Sequence, residues 1–288
     1  MAEYKNWDRQ YRFKAGPAGG GGFEIGEVTK ECPVPLHIDF SCQKADSESQ
    51  NTAKISIWNL NDAHLAVLNE KDCVCVLNAG YRGHMPLIFT GIISNVVTSR
   101  DNADIKTEIE VIDSLLPIRD TYVSITYEGT VNWKTILDDT ASQMGITISY
   151  GYNATFPDIS NGFSYVGMAR NILSKGCDCS GNTWDIQDGI LQVKREDDVM
   201  VREVYLLSKD TGLIGIPAKV VIEHDTAIDE NTIGWDVEYF LNGSIGVDDF
   251  VRLESKYVQG YFRVESVEHN GDNVSGDWVS QARLLEIK

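Results

Sequence analysis

The residues with the most potential for chemistry are six cysteines, four of which form two Cys-x-Cys pairs. They are Cys32, Cys42, Cys73, Cys75, Cys177 and Cys179. On a β-strand, a Cys-x-Cys pair places both sulfur atoms on one face, where they could supply part of a tetrahedral zinc site. Neither pair has the Cys-x2-Cys spacing of zinc ribbons. We therefore predict small buried apolar side chains in a reducing compartment, with a cytosolic zinc protein as a distant alternative.

Histidines and neighbouring carboxylates are the other candidate catalytic groups. No His-Glu-x-x-His, Gly-x-Ser-x-Gly, Walker or EF-hand motif accompanies them. Glycoside hydrolysis needs two carboxyls about 5–10 Å apart across a cleft, and adjacency in sequence does not supply that. We predict histidines at surfaces and turns, solvated acid pairs, and no catalytic, cofactor-binding or metal-binding residue. The groups are His37, His64, His84, His224 and His269, the pairs Asp138/Asp139, Asp197/Asp198 and Asp248/Asp249, and the set Asp225, Asp229 and Glu230.

The N-terminal segment joins aromatic and basic residues to a glycine-rich run at 16–22. A glycine run can cradle phosphate, but no Gly-Lys-Ser/Thr follows this one and no helix clearly begins there. The run therefore predicts a hinge or an exposed loop. Because aromatic residues mixed with arginine are favoured at contacts, we predict that the preceding arm docks on a neighbouring subunit. The arm contains Tyr4, Lys5, Trp7, Arg9, Tyr11, Arg12, Phe13 and Lys14.

The elements that would position any site begin with alternating apolar and polar residues between 53 and 113, which predict antiparallel β-sheet. We expect the sheet to curl towards a small barrel. Its strands are expected at 53–60, 72–81, 87–93 and 105–113, with a hairpin turn near 100–103. One face of the last strand would carry Ile105, Thr107, Ile109 and Val111, and the other Lys106, Glu108 and Glu110. This region contains no cluster of reactive side chains, which indicates a structural protein rather than an enzyme.

The middle of the chain predicts an α+β module with two helix-then-strand units. A helical stripe covers 131–145, with Thr130 as the expected N-cap and Gly145 as the stop. A second helix is expected between an N-cap at Ser164 and a stop at Gly176. The strands that follow are expected at 146–150 and 182–193, the latter folded at an Asp188-Gly189 hairpin turn.

The last region returns to β-structure, so the order is a β region, an α+β insert and a second β region. We expect a rigid corner at 208–217 and a hairpin of 250–255 with 261–267. A second hairpin is expected to turn at 270–272, with His269 anchoring the turn. The predicted domains are residues 1–117, 118–200 and 201–288.

Charge restricts the classes of partner. With 43 acidic and 25 basic residues, the net charge is −18. Such a surface repels nucleic acid, because binding duplex DNA requires lysine and arginine to neutralise phosphates. No apolar run approaches the roughly 18 to 20 residues that cross a bilayer, and the N-terminus lacks the apolar core of a secretion signal. We therefore expect a protein that folds in a cytoplasm and has no membrane segment.

In the order and spacing of its motifs, the chain resembles the baseplate hub proteins of tailed phages, the family often labelled late control protein D. The resemblance extends over nearly the whole chain. It is carried by Ile57–Leu60, Asn78–Tyr81, Ile88–Ile93, Ile109–Asp113, Val131–Gly145, Trp184–Val193, Thr211–Pro217, Gly260–Val264, His269–Asp272 and Trp278.

The resemblance implies a homotrimer around the tail axis. Each subunit would contribute two tube-like antiparallel β-barrel domains and a small α+β domain, so the fold class would be mainly β with an α+β insert. The ring would join the tail tube or a distal tail protein to a spike or tip and let DNA pass through its lumen. Longer relatives carry cell-wall-cutting domains, and because nothing follows Lys288 we expect a hub without its own hydrolase.

Two functions are consistent with these observations. The first is a structural hub of a phage or prophage tail, located in the virion tail, assembled in the host bacterial cytoplasm and without enzymatic activity. The alternative is a tail-tip protein that binds or hydrolyses glycan or peptidoglycan, in which exposed Trp58, Trp235 or Trp278 would stack on sugars. We expect these tryptophans to be core residues.

Overall fold

The computed structural model describes residues 8–17, 20–26, 35–45, 51–113, 121–195, 198–200, 204–222 and 232–287. Contacts divide the chain into two compact units. The β unit comprises Met1–Ala45, Ser49–Asp113 and Val204–Lys288, and the insert unit comprises Asp46–Glu48 and Ser114–Glu203. The protein is mainly β, as predicted. No helix within the described ranges has the length and apolar composition needed to span a membrane.

Strands dominate both units. In chain order the elements are β1 (Arg9–Pro17), β2 (Phe23–Ile25), β3 (Ile38–Ala45), β4 (Thr52–Trp58), α1 (Asp62–Leu68), β5 (Cys73–Tyr81), β6 (Leu87–Asp101), β7 (Asp104–Ile112), β8 (Tyr122–Tyr127), β9 (Val131–Asn132), α2 (Trp133–Met144), β10 (Thr147–Tyr150), β11 (Asp158–Ile159), β12 (Phe163–Met168), α3 (Ala169–Ser180), β13 (Thr183–Gln187), β14 (Ile190–Lys194), β15 (Val204–Ser208), β16 (Leu213–Ile222), β17 (Thr232–Phe240), β18 (Phe250–Glu254), β19 (Gln259–Asp272) and β20 (Trp278–Glu286).

One continuous sheet builds the β unit. Its first part has the strand order β3-β4-β7-β6-β5-β1-β2, and its second part has the order β15-β18-β19-β20-β17-β16. The two parts join where β19 pairs with β3. Only four residues connect β15 to β16, so the two ends of the second part meet at this turn and the sheet returns on itself. Closure of either part into a full barrel stays a prediction, as do the three predicted domains and their boundaries.

Each part of the sheet surrounds its own apolar core. The first core contains alternate residues of β3, β4, β5 and β7, and the second core is built from β17 to β20. On β7, Thr107, Ile109 and Val111 are buried as predicted. Ile105 is 49% exposed, because it lies near the tip of the β6–β7 hairpin, beyond the core.

The prediction that the N-terminal arm is a clasp for a neighbouring subunit is wrong for its described part. β1 pairs antiparallel with the full length of β5, from Arg9↔Tyr81 to Pro17↔Cys73. Tyr11, Phe13 and Ala15 are buried in the first core. This part of the arm is therefore an internal strand of the sheet. Tyr4, Lys5 and Trp7 lie outside the described residues.

The insert unit packs α2 against α3 beside a three-stranded sheet in the order β10-β14-β13. Gly176 lies inside α3, where a Cβ would sit 2.9 Å from Leu137 Cδ2 and 3.0 Å from Trp133 Cε3. This glycine is therefore a close-packing residue between the helices, and the prediction that it ends α3 is wrong. The helix instead ends at Gly181, which has a left-handed conformation.

Two predicted N-caps are also wrong. The cap of α2 is Asn132, whose side chain accepts a hydrogen bond from the backbone N–H of Lys134, while Gly145 ends that helix as predicted. Ser164 lies on β12, which pairs with β8 through Tyr165↔Ile125, so the strand partner determines the structure there. The predicted hairpin at Asp188-Gly189 is confirmed, and both residues have positive φ, 51° and 79°.

The hairpin of β18 and β19 is confirmed, but the predicted turn at 270–272 is wrong. β19 continues to Asp272, and the chain turns between there and Trp278. A Cβ on Gly271 would collide with the ring of Phe40 and lie 2.9 Å from Trp278 Cε3. Gly271 is therefore needed for close packing against two aromatic rings rather than for a turn.

Candidate functional site

The cysteines do not form a metal site within the described residues. Cys73 and Cys75 share the buried face of β5. Cys177 and Cys179 lie on α3, where one is buried and the other exposed, so the pair does not face one way. Burial raises the pKa of the Cys177 thiol to about 12, which disfavours the thiolate that metals bind. No group of three or more His, Cys, Asp or Glu residues that could hold a metal occurs in this part of the chain, and Cys32 lies outside it.

His269 does not anchor a turn, contrary to prediction. It lies within β19, is fully buried, and its Nδ1 is 2.8 Å from the hydroxyl of Ser280. Burial, followed by the charge of Lys44, lowers the pKa of His269 to about 3, so the ring is neutral at physiological pH. Its role is structural, because its hydrogen bond with Ser280 joins β19 to β20. His224 lies outside the described residues.

The prediction that Asp248 and Asp249 are solvated is wrong. Asp248 is fully buried, and its Oδ1 accepts a hydrogen bond from Arg263 Nη1 at 2.7 Å. Asp249 Oδ2 accepts the backbone N–H of Gly246 at 2.8 Å. Burial, together with the charge of Asp248, raises the pKa of Asp249 to about 6. The two aspartates therefore stabilise the loop that precedes β18. Asp248 bonds it to Arg263 on β19, and Asp249 bonds Gly246 within the loop.

The titration of Asp249 predicts a pH-dependent stability difference. Its folded pKa is raised, so burying the charged carboxylate costs stability above about pH 6 and the cost is relieved as the pH falls towards 4. We expect Asp249→Asn to raise the free energy of unfolding at pH 7.5 by on the order of 2 kcal/mol, and the gain to vanish near pH 4. Urea unfolding of both proteins across this pH range measures the difference in their free energies of unfolding. The titration of His269 is common to both proteins, so it cancels from that difference. A gain that stays constant with pH would contradict the assignment.

The remaining acid pairs serve packing of the insert unit. The hydroxyl of Tyr150 donates to Asp138 at 2.6 Å, and the hydroxyl of Tyr127 donates to Asp139. Burial and these carboxylates raise the pKa of both tyrosines. The prediction of a solvated side chain is also wrong for Asp198, which is buried and accepts the backbone N–H of Asn153 at 2.7 Å. Asp197, Asp225, Asp229 and Glu230 lie outside the described residues.

The three tryptophans considered for sugar binding differ in environment. Trp278 is buried in the first core, as expected. Trp235 is partly buried against the second core. The ring of Trp58 stacks on His37 with 3.9 Å between centroids, and its Nε1 donates to Asp101 at 3.0 Å. Each indole ring therefore packs or stacks against other side chains of the protein.

The β unit offers extended edges and apolar surface for association. β6 pairs with β5 from Leu87 to Ile92 and with β7 from Ile92 to Asp101. Residues 93–101, here called the distal edge of β6, therefore have no second strand partner among the described residues. β16 likewise pairs only with β17 in this part of the chain, and its free side is called the β16 edge.

A groove of about 640 Å³ opens beside the start of β16. Ile216 and Tyr257 line it and are both strongly exposed. Exposed apolar and aromatic residues next to an open strand edge are typical of surfaces that associate. The sequence contains these residues, but their position at an edge depends on strand pairing that the sequence does not reveal.

Comparison by sequence finds no matching family model and no matching curated protein. Solved structures do match. The 43 kDa tail protein of prophage MuSo2 from Shewanella oneidensis is similar over 96% of each chain, with a TM-score of 0.60 and 10% identity. A tail protein from Neisseria meningitidis is similar over 96% of this chain and 97% of its own, with a TM-score of 0.56 and 10% identity.

A third structure with this fold is the c3393 protein of E. coli, a component of the type VI secretion system with structural similarity to the T4 phage tail proteins gp27 and gp5. It matches over 88% of this chain and 74% of its own, with a TM-score of 0.59 and 7% identity. The chain therefore has the fold of phage tail proteins and of a type VI secretion component.

Proposed function

We propose that the chain is a structural component of a phage or prophage tail, acting as the hub of its baseplate or tip. The observation that carries this proposal is the fold match to a prophage tail protein over 96% of both chains. A match of that extent includes the β unit and the insert unit, so it concerns the whole architecture rather than a common small domain.

The reactive side chains named below bond to other residues or lie in the core, which supports a role without catalysis. Asp248 and Arg263 pair with each other, His269 bonds Ser280, and Cys73 faces the core. Catalytic groups must instead reach a substrate from a cleft. These side chains are buried and bonded inside the protein, which favours a structural protein that works by association.

In the proposed assembly, three copies form a ring. The ring contacts the tail tube or a distal tail protein on one side and a spike or tip on the other, and DNA passes through its lumen. Three chains would carry a net charge of −54, from −18 each. An acidic lumen would repel DNA phosphates, so the genome could slide without adhering. The assembled location is the virion tail, after folding in the host bacterial cytoplasm.

Binding of glycan or peptidoglycan has less support. A sugar-binding tryptophan presents a free ring face, whereas Trp278 is buried and Trp58 stacks on His37. Of the acids considered for glycan hydrolysis, Asp248 accepts a hydrogen bond from Arg263, Asp139 from Tyr127 and Asp138 from Tyr150.

Electron microscopy of the purified protein at high concentration tests the proposed role. We expect closed particles with three-fold symmetry and a central channel. The matched control is the same protein diluted to a concentration at which the ring has dissociated. Compact particles without a channel, or open-ended filaments, would contradict a hub.

A further inference from the structure

Asparagine followed by glycine occurs at three places in the chain, Asn161-Gly162, Asn242-Gly243 and Asn270-Gly271. This dipeptide can modify itself, because glycine has no Cβ to shield its backbone nitrogen from the asparagine side chain. The reaction requires that the side-chain amide can turn towards the following backbone nitrogen and that the glycine can move with it. The three sites therefore differ in reactivity according to how firmly the fold holds each of them.

The site at Asn270 is held in the interior of the sheet. At this point β19 pairs with β3 on one side and with β20 on the other. The side-chain amide of Asn270 donates to Glu268 Oε1 at 3.1 Å. Gly271 is packed so closely that a Cβ would collide with the ring of Phe40. Neither the amide nor the glycine can move unless the sheet opens.

The site at Asn242 is held in the loop after β17. Asn242 Oδ1 accepts the backbone N–H of Ser244 at 3.0 Å, and the backbone N–H of Asn242 donates to the hydroxyl of Ser280 at 3.1 Å. Gly243 packs against the carbonyl of Leu87, which leaves no room for a Cβ. The amide and the glycine are therefore both fixed at this site as well.

The site at Asn161 lies in the exposed turn between β11 and β12. Asn161 is exposed, and its side chain makes no hydrogen bond within the described part of the chain. Gly162 donates its N–H to the carbonyl of Gly129 at 2.7 Å. Gly129 is also exposed, and this bond lies at the end of the two-stranded β8–β12 sheet. Local opening at such an end needs little free energy.

We propose that Asn161 is a site of spontaneous deamidation. The backbone nitrogen of Gly162 attacks the side-chain carbonyl carbon of Asn161 and closes a five-membered succinimide ring. The side-chain nitrogen leaves as ammonia, with the proton that the Gly162 nitrogen gives up. Water then opens the ring. Attack at the side-chain carbonyl leaves aspartate, and attack at the backbone carbonyl leaves isoaspartate, in which the backbone runs through the former side chain.

Isoaspartate at position 161 lengthens the backbone by one carbon atom just before β12. Phe163, the first residue of that strand, pairs with Tyr127 on β8 and meets Trp133 edge-on with 5.2 Å between ring centroids. A longer backbone displaces this end of the strand relative to β8 and to the core of the insert unit. Both products also add one negative charge. We therefore expect deamidation to loosen this end of the β8–β12 sheet.

Peptide mapping by mass spectrometry of the purified full chain, kept warm at mildly alkaline pH, tests the site. Trypsin separates the three sites, because lysine or arginine residues lie between them. We expect Asn161 to convert at least about tenfold faster than Asn242 and Asn270, since opening the interior of a sheet costs much more free energy than opening an exposed turn. Asn161→Gln is the matched variant. It should abolish conversion at position 161, because glutamine would have to close a larger ring, and it should leave the other two sites unchanged.

The same protein unfolded in urea provides the reference rates, because the fold then holds none of the three sites. We expect these rates to agree within about threefold, since all three sites have the same dipeptide. Fast conversion of Asn161 in the folded protein, with similar rates at all three sites in urea, supports the proposal. Equal rates in the folded protein, or a folded Asn161 that stays intact while the unfolded chain converts, would overturn it. A rate difference in urea as large as that in the folded protein would also overturn it, because the fold would not be its cause.

Discussion

Arg263→Met is expected to lower the free energy of unfolding by about 3–5 kcal/mol, because it leaves a buried carboxylate without its cation. Asp248 is fully buried, and Arg263 Nη1 donates to it at 2.7 Å. A carboxylate at this depth has lost its hydration, and the paired cation offsets that cost. Methionine fills much of the space of the arginine stem, so the loss measures the charge rather than a cavity. Urea unfolding followed by circular dichroism gives the difference.

The matched control for this change is Arg252→Met. Arg252 is exposed on the neighbouring strand and pairs with Glu254 at 2.5 Å. Exposed ion pairs contribute about 0–1 kcal/mol, so this variant should change little. Adding Asp248→Asn to Arg263→Met removes the unpaired negative charge and should recover part of the lost free energy of unfolding. Asparagine also tolerates the positive φ of 66° at position 248. Equal effects of Arg263→Met and Arg252→Met would contradict the account.

Trp278→Ala is expected to cost about 3–5 kcal/mol, the range for removing a large aromatic from a core. The ring links three strands of the first part of the sheet. Its Nε1 donates to the carbonyl of Gly80 at 3.0 Å, and it meets Phe40 edge-on with 5.6 Å between centroids. The guanidinium of Arg9 lies 5.7 Å from the ring centroid. Without the ring, β1, β3 and β5 lose a shared contact at the start of β20.

Two further variants separate packing from hydrogen bonding. Trp278→Phe keeps an aromatic ring but removes the N–H donor to the carbonyl of Gly80. Loss of this hydrogen bond should lower the free energy of unfolding by about 1–3 kcal/mol, and the smaller ring should lower it slightly further. Trp58→Ala is the control for loss of an indole in a less buried position and should cost less than Trp278→Ala. If removing Trp58 is as damaging as removing Trp278, the first core is not organised around Trp278.

Strand positions were predictable because alternation reports which face of a strand is buried. β4, β5 and β7 follow the predicted pattern, and the Asp188-Gly189 turn carries its own backbone signal. The short helix α1 was missed since it buries only Leu68 and so has no apolar stripe. Its cap did leave a signal, because the Asn61 side chain accepts the backbone N–H of His64.

Other elements depend on contacts far away in the sequence. Tyr165 and Met168 fit a helical stripe, yet pairing with β8 makes them part of a strand. Gly176 and Gly271 carry signals of element ends and turns, but they serve close packing against Trp133 and Phe40. Sequence-local patterns do not contain these partners, so tertiary packing overrides them.

The same limit applies to the polar groups and to the candidate surface. Asp248 next to Asp249 is typical of a solvated surface, and the partner Arg263 is found only through the register of β18 with β19. The distal edge of β6 exists because β5 stops pairing at Ile92. The residues of that edge are visible in the sequence, whereas its openness follows from the strand order.

The most direct test of a self-assembling structural role is the native mass of the unmodified protein, measured by size exclusion with light scattering from low to high concentration. We predict a mass that rises towards three times the 32.0 kDa of one chain and then stays constant, since a closed ring adds no further copies. A mass of one chain at every concentration would contradict the account.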